Sequence, residues 1–154
     1  MFQMFEHRSG KLWGASLPES RRDLEQISKA GVKVVVSLES RYGFPDFTGL
    51  GLEHYKIPVP DFGIPTHENV REFMTILQNS LNQEKPVLVH CLAGCGRTGT
   101  MLALAEVYFF GERDGHSAIN NVRNTRPCAI ETDGQEKVIH EHAKNPAKDL
   151  VQVS

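Results

Sequence analysis

The strongest constraint on the fold is a run of β-branched and apolar residues at positions 32–38, next to a segment with helical periodicity. Because nearly every residue of the run is apolar, we expect both faces of this strand to be covered. Residues 19–30 before it place Leu24 and Ile27 three apart, and Gly31 is a typical helix stop. The run therefore predicts a strand inside a sheet, with a helix packed against it.

The same alternation continues along the chain. We predict further strands at 11–16, 54–59 and 86–90, helices at 67–82, 97–110, 115–124 and from about 132 to 144, and loops at 40–52 and 61–66. This order predicts a single α/β domain over residues 1–154, with a central, mostly parallel β-sheet flanked by helices on both faces. Ligands of such sheets bind beyond the carboxyl ends of the strands. The strand at 86–90 ends directly before Cys91.

Composition narrows the location and the partners. The formal net charge of −2 provides no basic field for nucleic acid or an anionic membrane. There is no apolar run of membrane-spanning length, and the first ten residues lack the apolar stretch of a signal peptide. We therefore expect a cytoplasmic monomer that binds neither nucleic acid nor membrane. The chain has 3 cysteines, and an odd count without a secretion signal favours free thiols.

The segment 90–99, HCLAGCGRTG, follows a strand and begins a helix. Its glycines let the backbone curl, so that several N–H groups can point into one concavity that binds an anion. The positive end of the following helix adds to this field, which suits a phosphate and a thiolate equally. Cys91 is therefore the candidate nucleophile. Arg97 provides a planar fork for two phosphate oxygens.

These residues resemble a known family. A His-Cys pair followed by five residues, Arg and Thr is similar to the signature of the protein tyrosine phosphatase superfamily, and segments 57–62 and 129–137 resemble its small atypical dual-specificity phosphatases. The resemblance implies the cysteine phosphatase fold and hydrolysis of phosphotyrosine and phosphoserine or phosphothreonine in phosphoproteins or phosphopeptides. A phosphocysteine intermediate is expected, without cofactor or metal. The expected phosphate-binding residues are Leu92, Ala93, Gly94, Cys95, Gly96 and Arg97.

Asp61 is the candidate general acid for the leaving oxygen. It lies 30 positions before Cys91, in a Pro-Asp pair on the loop between a strand and the next helix. The resemblance implies the same role, because small phosphatases of this kind take their acid from such a loop. The alternatives are an ordinary turn aspartate and, with less support, Asp46 beside Pro45.

The resemblance also assigns supporting residues around the loop. Thr98 would hydrogen-bond the cysteine sulfur and assist its departure in the second step, and it could equally cap a helix. His90 would support the loop by hydrogen bonds. Glu131 and Gln135 would place the hydrolytic water, with a capping arrangement at a helix start as the alternative of equal weight.

Three further residues have competing interpretations. For Arg123 and Arg126, structural ion pairs are the favoured interpretation and a second anion-binding site is the alternative. Cys95 could form a reversible disulfide with Cys91 under oxidation. The simpler interpretation, a small residue that fits the loop, is favoured because disulfide geometry across a curled loop is demanding.

Other activities of the same fold remain as alternatives. A phosphoinositide phosphatase would favour lysines in the loop, where this chain has Leu92, Ala93 and Cys95. An RNA 5′-triphosphatase would require a basic cleft, which the composition does not indicate. A binding module without activity would lack Cys91, Arg97 or Asp61.

Overall fold

A computed structural model describes residues 1–150 of the chain. It contains five strands and five α-helices in these residues. The strands are β1 (Met4–Arg8), β2 (Leu12–Ala15), β3 (Val34–Ser37), β4 (Glu53–Lys56) and β5 (Val87–His90). The helices are α1 (Arg21–Lys29), α2 (His67–Asn82), α3 (Gly96–Phe109), α4 (Gly115–Thr125) and α5 (Asp133–Lys144), followed by a 3₁₀ turn at Lys148–Leu150.

The strands form one sheet in the order β1-β2-β5-β3-β4. β2, β5, β3 and β4 are parallel, and β1 pairs with β2 in the antiparallel sense. The predicted mostly parallel α/β sheet is therefore confirmed. In this register Ala15 of β2 and Ser37 of β3 flank His90, the last residue of the central strand β5. The carboxyl ends of three strands consequently meet beside Cys91.

Apolar side chains cover both faces of the sheet. On one face α1 contributes Leu24 and Ile27, which pack with Val35 and Leu88 in a small cluster. On the other face a larger cluster joins the sheet to helices α2, α3, α4 and α5. The alternation of β3 explains this division, because Val34 and Val36 belong to the larger cluster while Val35 belongs to the smaller one.

Helix boundaries follow local capping chemistry. Ser20, Thr66 and Thr132 each begin a helix with a capping box, in which the cap side chain and the third helical residue bond each other's backbone N–H groups. The bounds of α2 agree with the prediction, and α3 begins at Gly96, one residue before its predicted start.

Two strand predictions differ from the structure. The sequence interpretation assigned no element to β1, because Glu6, His7 and Arg8 obscure the strand pattern. β4 ends at Lys56 rather than continuing to position 59, since Pro58 cannot donate to the ladder.

A buried ionic cluster fixes β1 to the helical layer. Glu106 of α3 is fully buried and accepts hydrogen bonds from His7 Nε2 at 3.1 Å, from Arg8 at 2.5 and 2.8 Å, and from Asn121 at 3.0 Å. Burial opposes ionisation of Glu106, but these donors outweigh it and lower its pKa to about 2. His7 and Arg8, two of the polar residues that obscure the strand pattern of β1 in the sequence, thus anchor β1 to α3.

Within residues 1–150, none of the helices is long and apolar enough to cross a membrane.

Candidate active site

The central strand β5 and helix α3 position the HCLAGCGRTG segment. Cys91 follows β5 directly and is only 3% exposed. Gly94 has φ +75°, and a Cβ atom there would lie 2.7 Å from the backbone of Ala15, so this position requires glycine. The loop then enters α3 at Gly96, where the first N–H groups of a helix lack intrahelical acceptors. Cys91 thus lies on a tightly curled loop that leads into the positive end of a helix.

His90 supports this loop from within the core. Its Nδ1 lies 3.0 Å from the carbonyl oxygen of Cys91, so Nδ1 carries the proton and donates it. Its Nε2 lies 2.6 Å from Ser37 Oγ, which lies 2.8 Å from His54 Nε2. Burial lowers the pKa of His90 to about 4, so the ring is neutral at pH 7. The sequence interpretation named His90 but missed Ser37 and His54.

Arg97 is 3% exposed and has three fixed acceptors. Its Nη2 lies 3.0 Å from Glu39 Oε1 and 3.2 Å from Asp61 Oδ1, and its Nη1 donates to the Val59 carbonyl oxygen at 2.8 Å. The structure therefore brings together Arg97 of the curled loop and Asp61, two residues 36 positions apart that the sequence placed in one site.

Glu39 is the site residue that sequence reasoning missed. It lies two residues beyond the end of β3, is 1% exposed, and pairs with both Arg97 and Arg41. Hydrogen bonds from Arg41 outweigh the effect of burial and, with those from Arg97, lower the pKa of Glu39 to about 2. An acidic residue at the carboxyl end of an apolar strand was the available signal.

Asp61 lies on the loop that follows β4. Its Oδ2 lies 3.4 Å from Arg41 Nη2, and its side chain is 31% exposed. A tight turn from Pro60 to Gly63 carries it, closed by a 2.7 Å hydrogen bond from Gly63 N to the Pro60 carbonyl oxygen. The competing residue, Asp46, instead lies 3.7 Å from Arg21 and accepts a hydrogen bond from Thr48 N.

Comparison with known proteins identifies the family. Residues 13–110 match the family model described as a polymorphic toxin system, DSP-PTPase phosphatase. The chain belongs to this DSP-PTPase phosphatase family. The chain is 41% identical over 78 residues to the human dual specificity protein phosphatase CDC14A, a match that covers 50% of this chain and 13% of CDC14A. It spans a little over half the length of two Methanocaldococcus jannaschii relatives, 54% and 58%.

Solved structures agree with this assignment. Tk-PTP in its active form superposes with a TM-score of 0.83 at 27% identity, covering 92% of this phosphatase and 97% of Tk-PTP. PTPMT1 in complex with PI(5)P gives a TM-score of 0.78 at 19% identity, covering 93% and 94% of the two chains, which shows a shared fold. The predicted cysteine phosphatase fold is confirmed.

Thr98 lies inside α3, not at its N-cap, which is Cys95. The hydroxyl oxygen of Thr98 is buried and has no hydrogen-bond partner among the described residues. The expected hydrogen bond to the Cys91 sulfur is therefore not formed in this structure. A buried hydroxyl without a partner is costly, so this group is available to a partner that arrives at the loop.

Gln135 takes the capping position considered from the sequence, and both Gln135 and Glu131 lie beside the curled loop. Gln135 is the third residue of α5 and completes its capping box with Thr132. It is also fully buried, and its Nε2 donates at 3.2 Å to the carbonyl oxygen of Gly63, on the loop that carries Asp61. A Cβ atom at Gly96 would collide with Glu131 Oε1 and lie 3.1 Å from Gln135 Oε1. Both side chains thus reach the curled loop.

The segment between α4 and α5 braces the same loop. Arg126 donates to the carbonyl oxygens of Ala93 at 2.8 Å and Gly94 at 3.2 Å, and Ile130 N donates to the Cys95 carbonyl oxygen at 3.2 Å. Arg123 donates to the carbonyl oxygens of Ala129 and Ile130 at 3.0 and 2.9 Å. The two arginines hold backbone carbonyls, where ion pairs had been expected.

The expectation of three free thiols is wrong. Cys95 and Cys128 form a disulfide with a Cα–Cα distance of 5.3 Å, and Cys91 is the free cysteine. Cys95 is therefore neither a partner of Cys91 nor simply a small residue that fits the loop. The 33-residue separation gave no sequence signal, because only the fold brings the α4–α5 segment against the curled loop.

Proposed function

We propose that this phosphatase hydrolyses phosphoprotein substrates, at phosphotyrosine and at phosphoserine or phosphothreonine, through a phosphocysteine intermediate on Cys91. The observation that carries the proposal is the 3.2 Å ion pair between Asp61 and Arg97, which joins the acid loop to the loop of Cys91. Phosphoryl transfer to sulfur requires a nucleophile, a group that binds the phosphate oxygens and a proton donor for the leaving group.

In the first step, the Cys91 thiolate attacks phosphorus in line and the ester oxygen leaves. The N–H groups of residues 92–97 and the Arg97 guanidinium hold the three equatorial oxygens. A phosphate dianion competes with the Asp61 carboxylate for Arg97, so binding releases Asp61 from its ion pair. Asp61 in its protonated form then gives its proton to the leaving oxygen, which yields the free hydroxyl of the substrate.

In the second step, water attacks the phosphocysteine. Asp61, now a carboxylate, takes one proton from that water as its oxygen bonds to phosphorus. The sulfur leaves as thiolate, and the buried Thr98 hydroxyl, which has no hydrogen-bond partner among the described residues, is the candidate donor to that thiolate. Gln135 and Glu131, which reach Gly96, are the candidates for holding the water. His90 keeps the loop in shape through the Cys91 carbonyl and transfers no proton.

The surroundings favour a protein substrate over the two alternatives. The variable loop positions Leu92 and Ala93 offer no positive charge for the extra phosphates of a phosphoinositide or an RNA 5′-triphosphate. PTPMT1, which shares the fold, was solved with PI(5)P, so a phosphoinositide remains the second candidate. We further infer that residues 1–154 act as one catalytic domain without cofactor, in keeping with the single sheet. The cytoplasmic monomer stays a prediction, and the Cys95–Cys128 disulfide does not favour the cytoplasm, because such bonds are rare in a reducing compartment.

Hydrolysis of p-nitrophenyl phosphate with EDTA present, from pH 4 to 9, tests the mechanism. Turnover should survive chelation, because a thiolate nucleophile needs no metal, and should vanish in Cys91→Ser. Asp61→Asn should lose about 100-fold or more on phosphopeptides and flatten one limb of the pH profile. Asp46→Asn is the matched control and should behave as wild type.

Retention of wild-type turnover by Cys91→Ser would exclude the phosphocysteine intermediate. Quenching the reaction with denaturant, followed by mass spectrometry of the protein, should detect one phosphate on Cys91 and none on the Cys91→Ser protein. Phosphopeptides, PI(5)P and 5′-triphosphorylated RNA assayed side by side then decide the substrate class.

A further inference from the structure

The large exposed hydrophobic side chains gather around the catalytic loop. Among residues 1–150, six are exposed, and four of these lie on the three loops at the carboxyl ends of the strands: Tyr42, Phe62, Ile64 and Leu92. Exposed apolar side chains that cluster at one place mark an interaction surface, whereas scattered ones do not. The mouth of the site is therefore apolar as well as cationic.

One side of this mouth contains a groove of about 430 Å³. Its lining, which we call the Leu92 groove, consists of Leu17, Pro18, Glu19, Tyr42, Gly43, Phe44, Pro45 and Leu92. Glu19 carries the only charge in the lining. The volume is within the range of ligand pockets and suits a bulky side chain rather than a folded domain.

Both walls of the Leu92 groove are tied to the catalytic centre. Leu92 adjoins Cys91 in the chain, and its carbonyl oxygen accepts a hydrogen bond from Leu17 N at 2.9 Å. On the opposite wall, the Tyr42 ring lies 5.3 Å from the guanidinium of Arg41, which pairs with Asp61. Since Leu92 is one Cα step of 3.8 Å from the nucleophile, the groove lies within a few residues of a bound phosphorylated side chain.

The floor of the groove is preorganised. The Phe44 ring packs edge-on against His54 at 4.6 Å, and His54 belongs to the Ser37–His90 network that supports Cys91. Pro18 and Pro45 restrict the backbone on either side. A rigid apolar surface loses little entropy when it is covered, so it contributes more to binding.

We propose that the Leu92 groove is a specificity subsite that binds an apolar side chain of the phosphopeptide, one to three residues from the phosphorylated residue. The inference rests on the proposed function and names its substrate class. Glu19 repels acidic side chains and further phosphates, so it selects against acidic peptides and phosphoinositides. Burial of one leucine-sized side chain is expected to raise kcat/KM roughly tenfold.

A panel of phosphotyrosine peptides tests the subsite. Each peptide carries leucine or glutamate at one position from three before to three after phosphotyrosine, and kcat/KM is divided by that for p-nitrophenyl phosphate, which is too small to reach the groove. We expect one position with a leucine preference of roughly tenfold. Tyr42→Ser should reduce that preference to less than about threefold, and the matched control Tyr55→Ser, an exposed tyrosine on β4, should retain it.

The outcomes separate the subsite from the proposed function. If the wild type does not hydrolyse p-nitrophenyl phosphate, both the subsite and the proposed function are wrong. Normal turnover of that ester with no positional preference, or with a preference unchanged in Tyr42→Ser, would overturn the subsite alone. Hydrolysis of PI(5)P in place of peptides would overturn the subsite together with the protein-substrate part of the proposed function. Calorimetric binding of the preferred peptide to Cys91→Ser and to Cys91→Ser/Tyr42→Ser should differ by about tenfold and checks the result without turnover.

Discussion

Reduction of the Cys95–Cys128 disulfide should destabilise the phosphatase substantially while leaving its fold intact. The bond closes a loop of 33 residues that contains all of α3 and α4. In the chain-entropy description, releasing a loop of this length costs about 3.7 kcal/mol at 25 °C. For a chain of this size each kcal/mol corresponds to about 2–4 °C, so Tm should fall by about 7–15 °C.

The assay is thermal unfolding followed by circular dichroism, with and without dithiothreitol. Cys128 is exposed, so the reductant reaches the bond without prior unfolding. The double variant Cys95→Ser/Cys128→Ser should unfold at the temperature of the reduced wild type and should not respond to reductant. Cys91→Ser, which keeps the bond, should respond as wild type does.

A fall in Tm of less than about 2 °C on full reduction would refute the reasoning. It would mean that residual structure in the unfolded chain already restrains the loop, so that the disulfide adds little. The same result in the double variant would exclude incomplete reduction as its cause.

Three other perturbations have defined outcomes. Glu39→Gln removes a charged partner of Arg97 and should lower kcat/KM for p-nitrophenyl phosphate by about 10- to 100-fold. Glu106→Gln should lose about 3–5 kcal/mol in urea unfolding at pH 7. Because the pKa of Glu106 falls from 4.5 to about 2 on folding, the stabilisation is complete above pH 4.5 and disappears as pH falls towards 2. Ser37→Ala leaves His90 Nε2 without its donor and should cost about 1–3 kcal/mol in the same assay.

The two glutamate variants share a control, and each has a contradicting result. Glu53→Gln, an exposed carboxylate paired with Lys85, is the control for both glutamate variants and should change neither kcat/KM nor stability appreciably. Wild-type kcat/KM in Glu39→Gln would mean that Arg97 is held without its carboxylate. A stability difference for Glu106→Gln that persists unchanged from pH 4.5 to pH 2 would contradict the ionised state of that residue.

His90 adds a second pH effect that can be told apart from that of Glu106. Its pKa falls from 6.5 to about 4 on folding, so the folded state is stabilised fully above pH 6.5 and progressively less as pH falls towards 4. Burial also lowers the pKa of His54 to about 4, so both rings contribute in this range and stability of the wild type should begin to decline near pH 6.5, before Glu106 contributes. A stability curve that is flat from pH 7 to 4.5 would contradict the buried, neutral His90.

The local pattern of the sequence determined the parallel sheet, the bounds of α2 and the position of the curled loop. These follow from interactions within a few residues: the apolar period of β3, the Thr66 capping box, and the glycines at 94 and 96. The sequence also named Cys91, Arg97 and Asp61 as candidates, because Cys91 and Asp61 follow predicted strands and Arg97 lies six positions after Cys91. The structure brings Asp61 and Arg97 together, and the catalytic roles of the three residues stay proposals.

Only the tertiary structure decided which distant groups touch. Glu39 pairs with Arg97 across 58 positions, His90 meets Ser37 and His54, and Cys95 bonds to Cys128. The strand β1 was also recognised only in the structure, from its antiparallel pairing with β2 and from the contacts of His7 and Arg8 with Glu106. These contacts depend on the order of the strands and on the packing of the helices over the sheet. Residue spacing along the chain does not indicate the strand order or the helix packing, because these contacts form between segments that are distant in the sequence.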